Sequence, residues 1–273
     1  MDNEQFLRAD LLAKLCHLSK TYPFFEYSLS GKSLLGRDIP LLRIGTGAKT
    51  VLMVAGADGC DALSEELLWL FALDFCRCAA NGQTVYGLNC AVACAARQIL
   101  ILPRLNPDGK ALARGGADPN CPLYERQLRR NGMKDDFSDW RGNARGVLPK
   151  LNFGDAFAAR RDPPVTGEFP ESEPETAFAV RTVQIFEPVF LLECGEHEQD
   201  LLCTNRMEIL KRICDNSDFE RCEHRIPGAA SWFSDSFSLP CLKIAFQANK
   251  HTAACLYPKI RKLLFRSLYT LAV

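Results

Sequence analysis

The spacing of apolar side chains along the chain switches between two periods. Residues 6–18 carry them near helical spacing and stop before Tyr22 and Pro23, which predicts a first helix. Residues 38–44 read as a strand closed by Gly45 and Gly47. Residues 51–55 form a short apolar run before Gly56 and suit a buried strand. From 64 to 78 the apolar residues are dense. Glu65 and Glu66 fall in the first turn and Asn81-Gly82 follows, which predicts a buried helix with favourable ends. Residues 99–102 make another buried strand, stopped by Pro103. A helix is predicted over 173–186, a strand over 189–192 ending at Glu193, a helix near 205–214 and a strand over 242–246. Leu256, Ile260, Leu263, Leu264, Leu268 and Leu271 give one face of a last helix, with Pro258 tolerable in its first turn.

Strands alternate with helices and no linker divides them. The pattern predicts a single α/β domain over 1–273, an α/β/α sandwich around a mixed, mostly parallel central sheet. Ligands of such sheets bind beyond the carboxyl ends of the strands. Three segments fall there: residues 58–61, the loop after Leu102, and residues 193–197. Residues 103–172 read as one long irregular stretch, and such stretches inside a compact domain are usually functional.

Composition narrows the partners. Lys plus Arg and Asp plus Glu number 33 each, so no nucleic-acid or polybasic membrane role is expected. No run approaches ~18 apolar residues, so no membrane span is expected. The first residues, Met1 to Gln5, are acidic and polar and lack the features of a signal peptide, giving a cytoplasmic expectation. Thirteen cysteines without a Cys-x-x-Cys pair then read as small buried residues of a reducing compartment.

Five motifs stand in order along the chain. Gly31, Ser33, Gly36, Arg37, Ile39 and Pro40 spell G-x-S-x-x-G-R-x-I-P. Residues 106–109 spell N-P-D-G, and Trp140, Asn143, Ala144, Arg145, Gly146 and Val147 spell W-x-x-N-A-R-G-V. Residues 172–176 spell S-E-P-E-T, and Gly228, Trp232, Phe233 and Pro240 precede the last strand. Together they resemble the zinc carboxypeptidases, the carboxypeptidase A-like metallopeptidases, and most of all the bacterial branch that cuts γ-D-glutamyl–diaminopimelate bonds of cell-wall peptides. The resemblance implies that fold, a zinc held by His-x-x-Glu and a later His, a Glu as general base, and Arg145 as the group that polarises the scissile carbonyl.

The chemical positions depart from the pattern. Gly56 to Asp61 reads G-A-D-G-C-D, placing Asp58 where the resemblance has His and Asp61 where it has Glu. Glu193 falls at the third ligand, to within one residue, and Ala245 at the general base. Lys150-Leu151 replaces the Asn-Arg pair that holds a substrate carboxylate. A methyl group accepts no proton, and general acid–base catalysis contributes ~10²–10⁴ in rate. Three carboxylates favour hard cations over zinc. Three converging carboxylates also need a compensating charge: a hard divalent cation, or Arg145 or Lys150 leaning in.

The expectation is therefore a catalytically impaired homologue with no resident cofactor. It binds a peptide or cell-wall fragment through Arg145, Asn143, Trp140 and Lys150. One alternative is an active metallocarboxypeptidase or amidase whose metal is held by Asp58, Asp61 and Glu193. Another is a structural or interaction protein with a vestigial pocket. His197 reads as a loop histidine before a displaced ligand, and Cys60 and Cys194 as buried thiols before nucleophiles.

Overall fold

The computed structural model describes residues 2–154, 162–208, 211, 219–222 and 226–268. The chain opens with two short helices rather than one, α1 (Asn3–Arg8) and α2 (Leu11–Thr21). The break lies at Ala9-Asp10: the Asp10 carboxylate accepts from the Ala13 N–H at 2.7 Å and starts a new helix inside an apolar pattern that runs through both.

β1 (Phe25–Lys32) and β2 (Asp38–Ile44) form an antiparallel hairpin. β3 (Lys49–Val54) leads into the long α3 (Ala62–Ala80). A two-strand ribbon, β4 (Thr84–Val85) and β5 (Leu88–Asn89), and α4 (Cys90–Ala96) precede β6 (Arg97–Leu102). The stretch read as irregular holds α5 (Pro107–Gly115) and α6 (Tyr124–Arg130). Asn106 caps α5 through the Gly109 N–H at 2.9 Å, and Pro107 takes its first position, where no N–H is needed. Then come α7 (Pro174–Phe186), β7 (Phe190–Glu196), β8 (Leu201–Thr204), β9 (Glu220–Cys222), α8 (Ala229–Phe237), β10 (Cys241–Phe246) and α9 (Ala253–Ser267). Half of the helix expected near 205–214, and Leu271 of the last one, lie outside the described residues.

One eight-stranded mixed sheet carries the order β1-β2-β6-β3-β7-β10-β8-β9. Its centre, β6-β3-β7-β10, is parallel. Side chains of these strands are buried on both faces, hence their continuous apolar runs. One face packs under α2, α3, α4 and α9, with Leu67, Phe71, Phe75, Ile260 and Phe265 at its heart. The other packs under α7 and α8, with Leu191, Ala179, Val183 and Phe233. The domain is thus an α/β/α sandwich, and the central strands end together at one rim. Among the described residues no helix is long and apolar enough to cross a membrane.

Candidate functional site

The rim is built from the loop after β3, the end of β7 and residues 140–150. β3 delivers Asp58 and Asp61 into a tight turn, where Gly59 runs against other backbone. A Cβ at Gly59 would lie 2.5 Å from the Gly109 carbonyl carbon and 2.7 Å from the Trp140 oxygen. The N-P-D-G motif fixes this approach, because the Asn106 amide donates to the carbonyls of Ala57, Arg141 and Gly142 at 3.1, 3.3 and 3.1 Å. Arg37 bonds Asp108 at 2.8 Å and so ties the β1–β2 hairpin to the same motif.

Asp58 is buried, and one carboxylate oxygen lies 2.6 Å from the Lys150 ammonium. The other oxygen, Oδ1, is buried without a hydrogen-bond partner. Asp61 is the cap of α3. It accepts from the Ser64 N–H at 3.0 Å and from the Glu196 N–H at 3.2 Å. Burial pushes its pKa up to about 6, against those hydrogen bonds and with Asp58 and Glu196 nearby.

Glu193 does not join them. Its Oε1 takes the Lys243 ammonium at 2.9 Å and its Oε2 the Ala230 N–H at 2.9 Å, at the positive end of α8. Lys243 stands beside Glu193 in the β10–β7 register and donates also to the Pro227 carbonyl at 2.8 Å. Gly228 makes room for this arrangement, since a Cβ there would fall on the Glu193 carboxylate. Ala245, two residues along β10, is fully buried among Leu201, Cys203, Cys222 and Ile226. Among the described residues, no group of three or more His, Cys, Asp and Glu side chains could hold a metal ion.

The W-x-x-N-A-R-G-V segment divides its labour. Trp140 and Asn143 are walled in rather than turned to the cleft. The Trp140 indole donates to the Asn143 carbonyl at 3.2 Å and its ring lies 5.3 Å from Phe137. The Asn143 amide donates to Glu173 at 2.6 Å and Glu175 at 3.2 Å, and its oxygen accepts from the N–H groups of Arg145 and Val147. Arg145 lies 3.6 Å from Glu173. The guanidinium over the rim is that of Arg141, 4.0 Å from Asp58 and 3.9 Å from Glu196. The signal for it was its place directly after Trp140. Glu196 was missed because β7 continues four residues beyond Leu192.

A cleft of about 530 Å³ opens here, lined by Arg141, Lys150, Glu196, His197, Glu198, Gln247 and Asn249. His197 is a loop residue whose Nδ1 accepts from the Gln199 N–H at 3.1 Å. Burial favours the neutral thiol at both nearby cysteines. Burial, with Glu196 and Asp58 beside it, pushes Cys60 up to about 12. Cys194 is raised by complete burial and lies in the core under α3.

Comparison with known proteins bears on this geometry. The zinc carboxypeptidase family model matches residues 11–234. Gamma-D-glutamyl-L-diamino acid endopeptidase 1 of Lysinibacillus sphaericus is 27% identical over 170 residues, which are 58% of this chain and 42% of that protein. The chain spans less than half the length of the curated relatives it matches. Bovine thrombin-activatable fibrinolysis inhibitor superposes with a TM-score of 0.70 at 12% identity, over 97% of this chain and 96% of that one. Murein-tripeptide amidase MpaA of Escherichia coli O157 superposes with a TM-score of 0.54 at 20% identity, over 88% and 91%. These structural likenesses establish the fold.

Proposed function

The chain belongs to the zinc carboxypeptidase family, and from that premise we propose that it binds a peptide at the rim without hydrolysing it. The single observation that carries the reading is the Lys150 ammonium, 2.6 Å from Asp58. Zinc in such a centre supplies a Lewis acid that binds and acidifies water. The residues present do not fit it. Asp58 already holds a lysine, Asp61 is committed to two backbone N–H groups, and Glu193 is neutralised by Lys243. A proton acceptor is also missing at Ala245, whose methyl group is sealed in the core.

Binding needs less than catalysis. The cleft is of ligand size and sets Arg141 and Lys150 against Glu196 and Glu198. That alternation suits a peptide end bearing both carboxylate and amino groups, such as the diamino-acid peptide named in its curated relative. Arg141 is half-exposed and can pair with a carboxylate through two N–H groups.

The test uses a γ-D-glutamyl–diaminopimelate tripeptide, with calorimetry for binding and chromatography for products, in added Zn²⁺, Mg²⁺ or Ca²⁺. Binding without products, weakened roughly tenfold in Arg141→Ala, is the expected result; tenfold is the scale of about one lost hydrogen bond to a charged group. Products that disappear in Asp58→Ala overturn the non-catalytic half. No heat of binding overturns the other half.

A further inference from the structure

At the opposite edge of the sheet from β1, two cysteines face one another. β8 and β9 run parallel, and their register sets Cys203 directly beside Cys222. Paired residues on neighbouring strands point to the same face, with strands roughly 4.8 Å apart. That separation falls inside the roughly 4.4–6.8 Å range of Cα distances that disulfides usually span. The side chains meet: Cys222 packs on the small cluster of Leu201, Cys203 and Ala245. β9 is the outermost strand, and Cys222 is half-buried while Cys203 is buried.

We propose that Cys203 and Cys222 are an oxidation site, a dithiol that a small disulfide co-reactant converts into an inter-strand disulfide. Cys222, the accessible member, reacts first. Its thiolate attacks one sulfur of the co-reactant, whose S–S bond breaks, and one small thiolate leaves. Cys203 then gives up its proton and attacks the Cys222 sulfur of the mixed disulfide, releasing the second small thiol. Two protein thiols are oxidised and one co-reactant disulfide is reduced to two thiols. Burial and the neighbouring thiol push Cys203 up to about 12, so the second step is the slower one.

The pair is also connected to the interior of the sheet. Lys243 stands opposite Cys203 in the β10–β8 register, and Glu193 opposite Lys243. The four residues Glu193, Lys243, Cys203 and Cys222 thus form one row across four strands. Closing the disulfide would pin the outer end of that row to its buried ion pair.

The experiment needs only the wild-type chain. It is incubated folded with glutathione disulfide, quenched with an alkylating agent and read by intact mass and by peptide mapping without reduction. The expected product carries a Cys203–Cys222 linkage, lacks the alkyl adducts on those two cysteines that the untreated control carries, and melts roughly 5 °C higher, as a bridge over a loop of this size should. Cys222→Ser should abolish the linkage, and Cys16→Ser, at an exposed cysteine remote from it, should leave it intact. A mixed disulfide that stays on Cys222, a linkage between other cysteines, or no mass change overturns the proposal.

Discussion

The Lys243 ammonium stands 2.9 Å from the Glu193 carboxylate, and both side chains are buried in the sheet interior. A buried pair of this kind loses its balance when one partner goes. Lys243→Met should destabilise the fold by about 3–5 kcal/mol, because it leaves an uncompensated carboxylate. The double variant Lys243→Met, Glu193→Leu should recover most of that loss. Urea unfolding of the three chains decides it. A single variant as stable as the wild type would show that the Ala230 N–H alone balances Glu193.

Lys150 plays the matching part at the rim, with more solvent around it. Lys150→Met should cost about 1–3 kcal/mol, the scale for stranding a hydrogen-bonded polar group. If the rim holds no metal, dialysis of the wild-type chain against EDTA should leave its melting temperature unchanged. A drop on chelation, restored by Zn²⁺, would contradict the proposed function directly.

Glu175 gives the fold a pH signature. Burial pushes its pKa up to about 7, despite the hydrogen bonds from Asn143 and from the Leu34 N–H. An acid raised in the folded state holds its proton longer there than in the unfolded chain. Its contribution is therefore favourable at low pH and declines as pH rises from about 4.5 to about 7, by roughly 3 kcal/mol in all. Glu175→Gln should flatten that slope and gain stability relative to the wild type at pH 8. Equal slopes for both chains would refute it. Asp61, raised to about 6, declines in the same sense between about 4 and 6.

Glu65 acts in the opposite direction. It is buried beneath Arg104 at 2.6 Å and Lys110, and also accepts from the Trp69 indole at 3.2 Å. Burial alone would raise its pKa; the two cations outweigh it and bring the pKa down to about 2. A lowered acid contributes fully above about 4.5 and loses that contribution as pH falls toward 2. Glu65→Gln should remove this acid-side loss and cost about 3–5 kcal/mol at pH 7, where two cations are left facing an amide. Melting curves from pH 2 to pH 8 test both parts.

The central strands were legible because a strand buried on both faces must be apolar throughout, as residues 51–54 and 99–102 are. β1 was not, because its pairing edge is half open and its sequence mixes Glu26, Ser28 and Ser30 with Phe25 and Leu29. The pattern predicts one first helix where there are two because periodicity is blind to a cap: Asp10 is polar as the pattern allows, yet its carboxylate starts a second helix. At the rim, Asp58, Asp61 and Lys150 could be named from the motifs, whereas the partner of Glu193 could not. Its signal was a lysine inside the apolar run of β10, a buried charge that has to be answered on a neighbouring strand. A motif records that Asn143 and Trp140 matter, not whether they face solvent or one another.

The cation pairing at Asp58 also limits which single substitutions the rim tolerates. Placing an imidazole at position 58 would strand the ammonium of Lys150, and altering Glu193 would strand that of Lys243. Each such single change should lower stability by leaving one cation unpaired. Two lysines would have to change along with the acids before any gain could offset it.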